Sequence, residues 1–338
     1  MIKNILIGGL IFLGLSSCFK EDDPIEPHKK GDIEEEVIPM TQYYVNQVYF
    51  NLSTGEQVRM NKKSEFDLCF SSAENSFLIR LNTASFLKAA ETEFTTFEKV
   101  SDTTGLNWKF DKSDGNPDST ALRNWIKIEG TDTIISDKVW VIDRGVNEQG
   151  FPLGLVKVKF HGFKNDTYHF TYGNMDNSGM QEIFVSKNPR HNYVQFQFKA
   201  EETPKQIEPE TDNWDLLFTQ YTTLLITDDG DPYPYLVTGT FINEVGTMVA
   251  FDSTLSFNDV VLNDVLFMEY STNFDVIGYE WKELFGDING GDFYYKARSN
   301  YNYFIRTKDG SFYKLHFTGF YDRETGEKGY PTFEFQRL

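Results

Sequence analysis

Cysteine is nearly absent from this 338-residue chain: Cys18 and Cys69 are the whole supply. A disulfide framework is therefore excluded as a source of stability. Basic charge is in deficit, with 32 Lys and Arg against 51 Asp and Glu and a net charge of −19. A field of that sign repels phosphate backbones, which excludes nucleic acid as a partner. Histidine is scarce, at five residues, so imidazole ligands are few. Long apolar runs are missing too. The best one, Ile5 to Leu15, falls short of the roughly 20 residues needed to span a bilayer. There is no Gly-rich phosphate loop, no G-x-S-x-G elbow, no H-E-x-x-H and no paired Cys motif, so nothing points to an enzyme. Asp111-Lys112-Ser113-Asp114-Gly115 carries its glycine one position too early for an EF-hand loop.

The start of the chain has a different character. Lys3, the apolar run and the small residues of Leu15-Ser16-Ser17-Cys18 read as a secretory signal over residues 1–17. The segment resembles the lipobox of bacterial lipoproteins, which assigns Cys18 as the lipid-attachment residue. Two or more acyl chains, palmitate among them, make such an anchor stable where one would be marginal. Phe19-Lys20-Glu21-Asp22-Asp23 is similar to the acidic export tag of Bacteroidota surface lipoproteins. Residues 18–41 are then expected as a flexible acidic tether, because three prolines and the run Asp32 to Glu36 leave little to bury.

Aromatics are plentiful: 31 Phe, 18 Tyr and 5 Trp. In short alternating segments they favour strands. Val156, Val158 and Phe160 share one face and Lys157, Lys159 and His161 the other; Tyr168 and Phe170 oppose His169; Tyr313, Leu315 and Phe317 oppose Lys314 and His316. Helix is expected only over 84–91 and 257–264, the latter capped by Ser256. The same plan is written twice. Phe66-Asp67-Leu68 matches Trp214-Asp215-Leu216, Trp125 matches Trp281, the segment 158–163 matches 315–320, and 167–170 matches 332–335. The order is kept and the offsets grow smoothly, from 148 through 156 and 157 to 165 residues, as loop insertions would produce. The expected fold is all-β: two similar antiparallel β-sandwich-like repeats with minor helix, over residues 42–190 and 191–338. Cys69 aligns with Leu217, which reads as a buried, inert thiol.

Asn213-Trp214-Asp215-Leu216-Leu217-Phe218 with Tyr221, the run Tyr303 to Leu315, and the ending Gly329 to Phe335 resemble the HmuY-like haem-binding lipoproteins of the Bacteroidota. Tyr49 to Glu56 and Phe66-Asp67-Leu68 are similar more loosely. The resemblance implies a non-enzymatic protein on the outer membrane, facing the cell surface. It would hold haem or a related porphyrin in a cleft, often through two axial side chains, for delivery to an outer-membrane receptor. Haem iron takes His, Met, Cys or Tyr. His316 is one axial candidate because it lies in the most family-like segment; Met248 and Met268 are soft alternatives. His161 and His169 are expected as cross-strand neighbours if Phe160 pairs with Phe170. They would then be too close to sandwich one porphyrin, but could form a metal-binding pair with a third ligand. The alternative reading is a surface module whose aromatics meet glycan or protein without haem.

Overall fold

The computed structural model describes residues 30–130, 132–201, 203–227, 229–287 and 291–338. The proposed signal and Cys18 lie outside these. Among the described residues no helix is long and apolar enough to cross a membrane.

The alternating segments become strands, and the strands stack into two sandwiches, each with its own core. In the first, a five-stranded antiparallel sheet runs in the order Gln181–Ser186, Thr167–Gly173, Leu155–Lys164, Trp140–Asp143, Lys88–Glu91. It packs on a three-stranded sheet ordered Tyr193–Phe196, Leu68–Ser71, Ile79–Leu81. Val156, Val158, Phe160, Tyr168, Phe170 and Tyr172 supply the buried face from one side, as alternation requires. In the second sandwich the five-stranded sheet is Glu34–Val37, Lys328–Arg337, Phe312–Tyr321, Asn302–Arg306, Met248–Asp252. Its partner sheet is Pro232–Ile242, Leu216–Ile226, Asn46–Asn51, Glu56–Lys62. Trp281 lies on Phe317 with ring centroids 3.9 Å apart; Trp125 lies 5.1 Å from Phe160 in the other core. Each core is thus closed by a large indole that arrives just before a short hairpin, Lys282–Asp287 with Asp292–Ala297 or Ile126–Glu129 with Asp132–Ile135.

The pairing of the leading strands crosses between the sequence halves. Asn46–Asn51 pairs with Leu216–Ile226 (Phe50 opposite Leu216), so an N-terminal strand completes the C-terminal sandwich. Tyr193–Phe196, which immediately precedes the second half's strands, pairs back onto Leu68–Ser71. Two aspartates fasten these joints. Asp215 accepts from the Leu52 N–H at 2.8 Å; Asp67 accepts from the Phe198 N–H at 2.7 Å and forms a bidentate pair with Arg144 at 3.0 Å on both arms.

Four expectations need correcting. The first is the tether, because residues 30–41 are folded: Glu34–Val37 pairs with Lys328–Arg337, and Ile38 and Met40 are fully buried. Ile33, Val37, Ile38 and Met40 offer enough apolar surface once a sheet edge is available. The stretch 84–91 is not helix. A single 3-10 turn, Thr83–Ser85, capped by Asn82, ends at Phe86 with φ of 64°, and Lys88–Glu91 joins the sheet. In 257–264 only the short helix Leu262–Val265 forms, and its first turn is closed by Asp264 accepting from the Val261 N–H, not by Ser256. Finally, Lys157 and Lys314, placed by alternation on polar faces, are 0% exposed. The Lys157 ammonium donates to the carbonyls of Phe97, Val100 and Met175, and that of Lys314 to Phe257 and Val260. Both faces of these strands are covered, and carbonyl oxygens replace water around the charge.

Candidate functional site

The hairpin that carries His161 and His169 has the expected register, with Phe160 opposite Phe170. A bulge follows, because Gly162 and not His161 pairs with His169. The rings still meet, with centroids 4.6 Å apart. His161 Nε2 lies 2.7 Å from Thr171 Oγ1, and His169 Nε2 lies 2.7 Å from Glu182 Oε1 while its ring stacks on Phe184. Burial lowers the His161 pKa, and the neighbouring His169 lowers it further. Among the described residues no group of three or more His, Cys, Asp or Glu side chains is arranged to hold a metal ion.

His316 is spoken for on every side. Its ring stacks on Phe257 at 3.9 Å, Nε2 faces Glu334 Oε2 at 2.9 Å and Nδ1 faces the Ser299 carbonyl at 3.3 Å. The strand register separates it from Met248: Met248 pairs with Arg306, and His316 pairs with Asn302. Two strands across and four residues along amount to about 16 Å, so these two candidates do not converge. His191 was not singled out in the sequence; it is buried, with Nδ1 near the carbonyls of Glu208 and Pro209.

Met268 is placed differently. An open groove of about 690 Å³ follows the edge strand Met248–Asp252 and is walled by the segment 268–273, which touches the strand through one bridge, Val249 to Ser271. Met268 and Tyr270 line it and pack on a small core of Ala250, Val260, Val265, Phe304 and Leu338. Phe251 lines the opposite wall, is 48% exposed, and is braced edge-on by Tyr301. Next to Met268, Phe267 is 94% exposed. Tyr270 donates its hydroxyl to the Val265 carbonyl at 3.0 Å; burial pushes its pKa up to about 12, against the pull of nearby Arg306. Met248 adjoins the groove through Val249. At the other end Asp252 stays below the usual carboxylate range. A slight burial penalty there is outweighed by N–H donors from Leu255 and Thr254.

This donor set fits one face of a porphyrin. The volume lies within the roughly 300–1,000 Å³ typical of cofactor pockets. A thioether offers a soft axial ligand and Phe251 offers a flat apolar wall; Arg306 stands outside the groove, over the Phe312 ring. Asp252 and Glu269 disfavour propionates at their end. The sequence had named Met268 and Met248 from residue type alone. Phe251 was missed because only the position of its strand at the sheet edge places it here.

A search of curated proteins finds no match. Among solved structures the chain is similar to an apo HmuY analogue from Tannerella forsythia at 19% identity. That match covers 43% of this chain and 96% of that one, with a TM-score of 0.20. It is also similar to apo PinO from Porphyromonas gingivitis, at 12% identity, 46% and 99% coverage and a TM-score of 0.20. A third is a Bacteroides vulgatus protein described as HmuY-like and haem-binding, at 14% identity, 53% and 90% coverage and a TM-score of 0.19. The model of the HmuY protein family matches residues 43–335, nearly the whole described length. The chain belongs to the HmuY family.

Proposed function

We propose that this protein is a lipid-anchored surface carrier that binds haem or a related porphyrin in the groove along Met248–Asp252, with Met268 as an axial ligand. Family membership motivates the ligand. The observation that carries the site is that Met268, alone among the three axial candidates, lines an open groove of suitable size. Met248 then flanks the site beside Arg306, and His316 is a packing residue held by Phe257 and Glu334. Cys18 carries the acyl chains, the outer membrane is the anchoring surface, and an outer-membrane haem receptor is the partner that takes the cargo. No catalytic role is assigned.

Two repeats, 42–190 and 191–338, describe the chain as written, and the exchanged leading strands then make each sandwich a composite of both. Four strands of each five-stranded sheet follow the same order, Thr167–Gly173 to Lys88–Glu91 in one and Lys328–Arg337 to Met248–Asp252 in the other, which supports this organisation; the edge strands differ in origin, Gln181–Ser186 within the first repeat and Glu34–Val37 ahead of it.

The test is haemin titration of the unlipidated protein, followed in the Soret band. We expect a saturable shift and a loss of about tenfold in affinity in Met268→Ala, near 1.4 kcal/mol, with His316→Ala close to wild type. Absence of any spectral shift would remove the reading. One observation favours the alternative of glycan or protein binding: Tyr233 and Tyr235 in one hairpin, and stacked Phe285 and Tyr294 in another, are exposed aromatic rows. Glycan-array binding without Soret change would select it.

A further inference from the structure

Where the two sandwiches meet, a cavity of about 120 Å³ is lined from both sides. From the N-terminal body come Arg80, Asp111 and Glu208; from the C-terminal body come Trp214, Phe241 and Glu244. Three carboxyl groups thus share the cavity with two cationic side chains, Arg80 and Lys112. Arg80 is already committed: Nε donates to Tyr193 Oη at 2.8 Å, Nη2 is 3.9 Å from Glu244, and its plane covers Phe274 at 4.6 Å. Asp111 is committed as well, accepting from the N–H groups of Leu81 and Ala121.

Glu208 is not. It is 3% exposed, and while Oε2 accepts from the Tyr193 N–H at 3.1 Å, Oε1 has no hydrogen-bond partner. The Trp214 indole N–H, on a residue 6% exposed, lies beside this carboxyl, yet no hydrogen bond of sound geometry joins them. A buried carboxylate oxygen left without a donor carries the full desolvation penalty of its charge. Buried polar atoms in folded proteins are nearly always hydrogen-bonded, to the chain itself or to a bound molecule.

We propose that this cavity binds a small organic ammonium ion, with Glu208 Oε1 and Glu244 accepting its N–H groups and the faces of Trp214 and Phe241 packing on its carbons. The sign follows from the carboxyl excess, which repels anions. A metal ion is disfavoured because no trio of ligating side chains is gathered among the described residues. Aromatic faces with acidic groups between them suit an organic cation, and the volume holds a molecule of a few heavy atoms. Unaided, Glu208 relieves its charge by holding a proton, with its pKa pushed up to about 8 by burial and then by Glu244. The ammonium ion would compete with that proton.

The experiment uses the full mature chain at a pH just above that value, with methylammonium and ethylammonium chloride as probes and sodium chloride at equal ionic strength as control. Calorimetric titration should give saturable heat, and thermal unfolding a saturable rise in Tm, with the ammonium salts alone. Glu208→Gln should weaken binding about tenfold; Glu244→Gln, made separately in case the first variant fails to fold, should do likewise. No saturable binding of either probe to the wild type overturns the proposal. So does undiminished binding in both variants. No porphyrin enters the measurement, so its failure leaves the haem reading untouched, and the converse holds.

Discussion

Phe50 lies in the first sixth of the chain, yet its removal should unfold the last third. Its ring is fully buried in the C-terminal core and meets Phe333 and Phe335 edge-on, with centroids at 5.3 and 5.5 Å. Truncation to Ala forfeits about 150 Å² of burial at about 25 cal/mol per Å², near 4 kcal/mol. That falls inside the ~3–5 kcal/mol typical of Phe→Ala in cores. Urea unfolding of the purified protein, with amide hydrogen exchange read by segment, checks both size and location. Protection should collapse in the strands Asn302–Arg306 and Phe312–Tyr321 and hold in Leu155–Lys164 and Thr167–Gly173. Loss of protection concentrated in 155–173 would refute the exchange of leading strands, and a cost below about 1 kcal/mol would refute the packing argument.

Two further outcomes follow from buried charge. Arg144→Ala removes one half of the bidentate pair with Asp67, leaving a carboxylate with nearly no exposure. The expected loss is about 3–5 kcal/mol in urea unfolding, and a loss under 1 kcal/mol would show that the pair is dispensable. Glu208 holds its proton more tightly when folded, with a pKa of about 8 against 4.5; Asp111 and Asp215 do so at about 6. Their contribution is therefore complete below the unfolded values and is lost as pH rises through the folded ones. Between about pH 6 and about pH 7, below the range where the buried Lys282 ammonium, its pKa lowered to about 7, adds a slope of opposite sign, Glu208, facing Glu244, Arg80, Asp111, Lys112 and Tyr193, governs the fall. Stability should fall across that window by about 1 kcal/mol, read as a falling Tm, and Glu208→Gln should flatten it. A wild-type Tm that rises over the same range would contradict the assignment.

Much of the sheet structure is legible in the residues. Alternation gave the buried faces of 156–160, 168–172 and 313–317, and the Phe160–Phe170 register, because the strand period is short-range and survives any topology. Lys157 and Lys314 misled because alternation separates faces without saying whether the second is wet. Here residues 97–100 and 257–260 lie over it and supply carbonyls to each ammonium. The stretch 84–91 misled because helix propensity of Ala, Leu, Lys and Glu is a weak prior against an available sheet partner, Trp140–Asp143. The exchange of Asn46–Asn51 for Tyr193–Phe196 is a matter of which distant partner wins, and no local pattern encodes it. The site was legible by residue type and no further. Met268 could be nominated, but the groove depends on the bridge of Ser271 to Val249, and the interbody cavity on segments more than a hundred residues apart.

The fate of the N-terminal strands also sets where force enters the molecule. Glu34–Val37 is zipped to Lys328–Arg337, at the opposite end of the polypeptide. Tension drawn through the chain's beginning is therefore borne first by hydrogen bonds to Thr332–Phe335, and the sandwich of residues 68–198 hangs slack behind them. A chain wired this way yields to a pull from its beginning by parting Glu34–Val37 from its far-end partner strand, leaving the sequence-middle body intact.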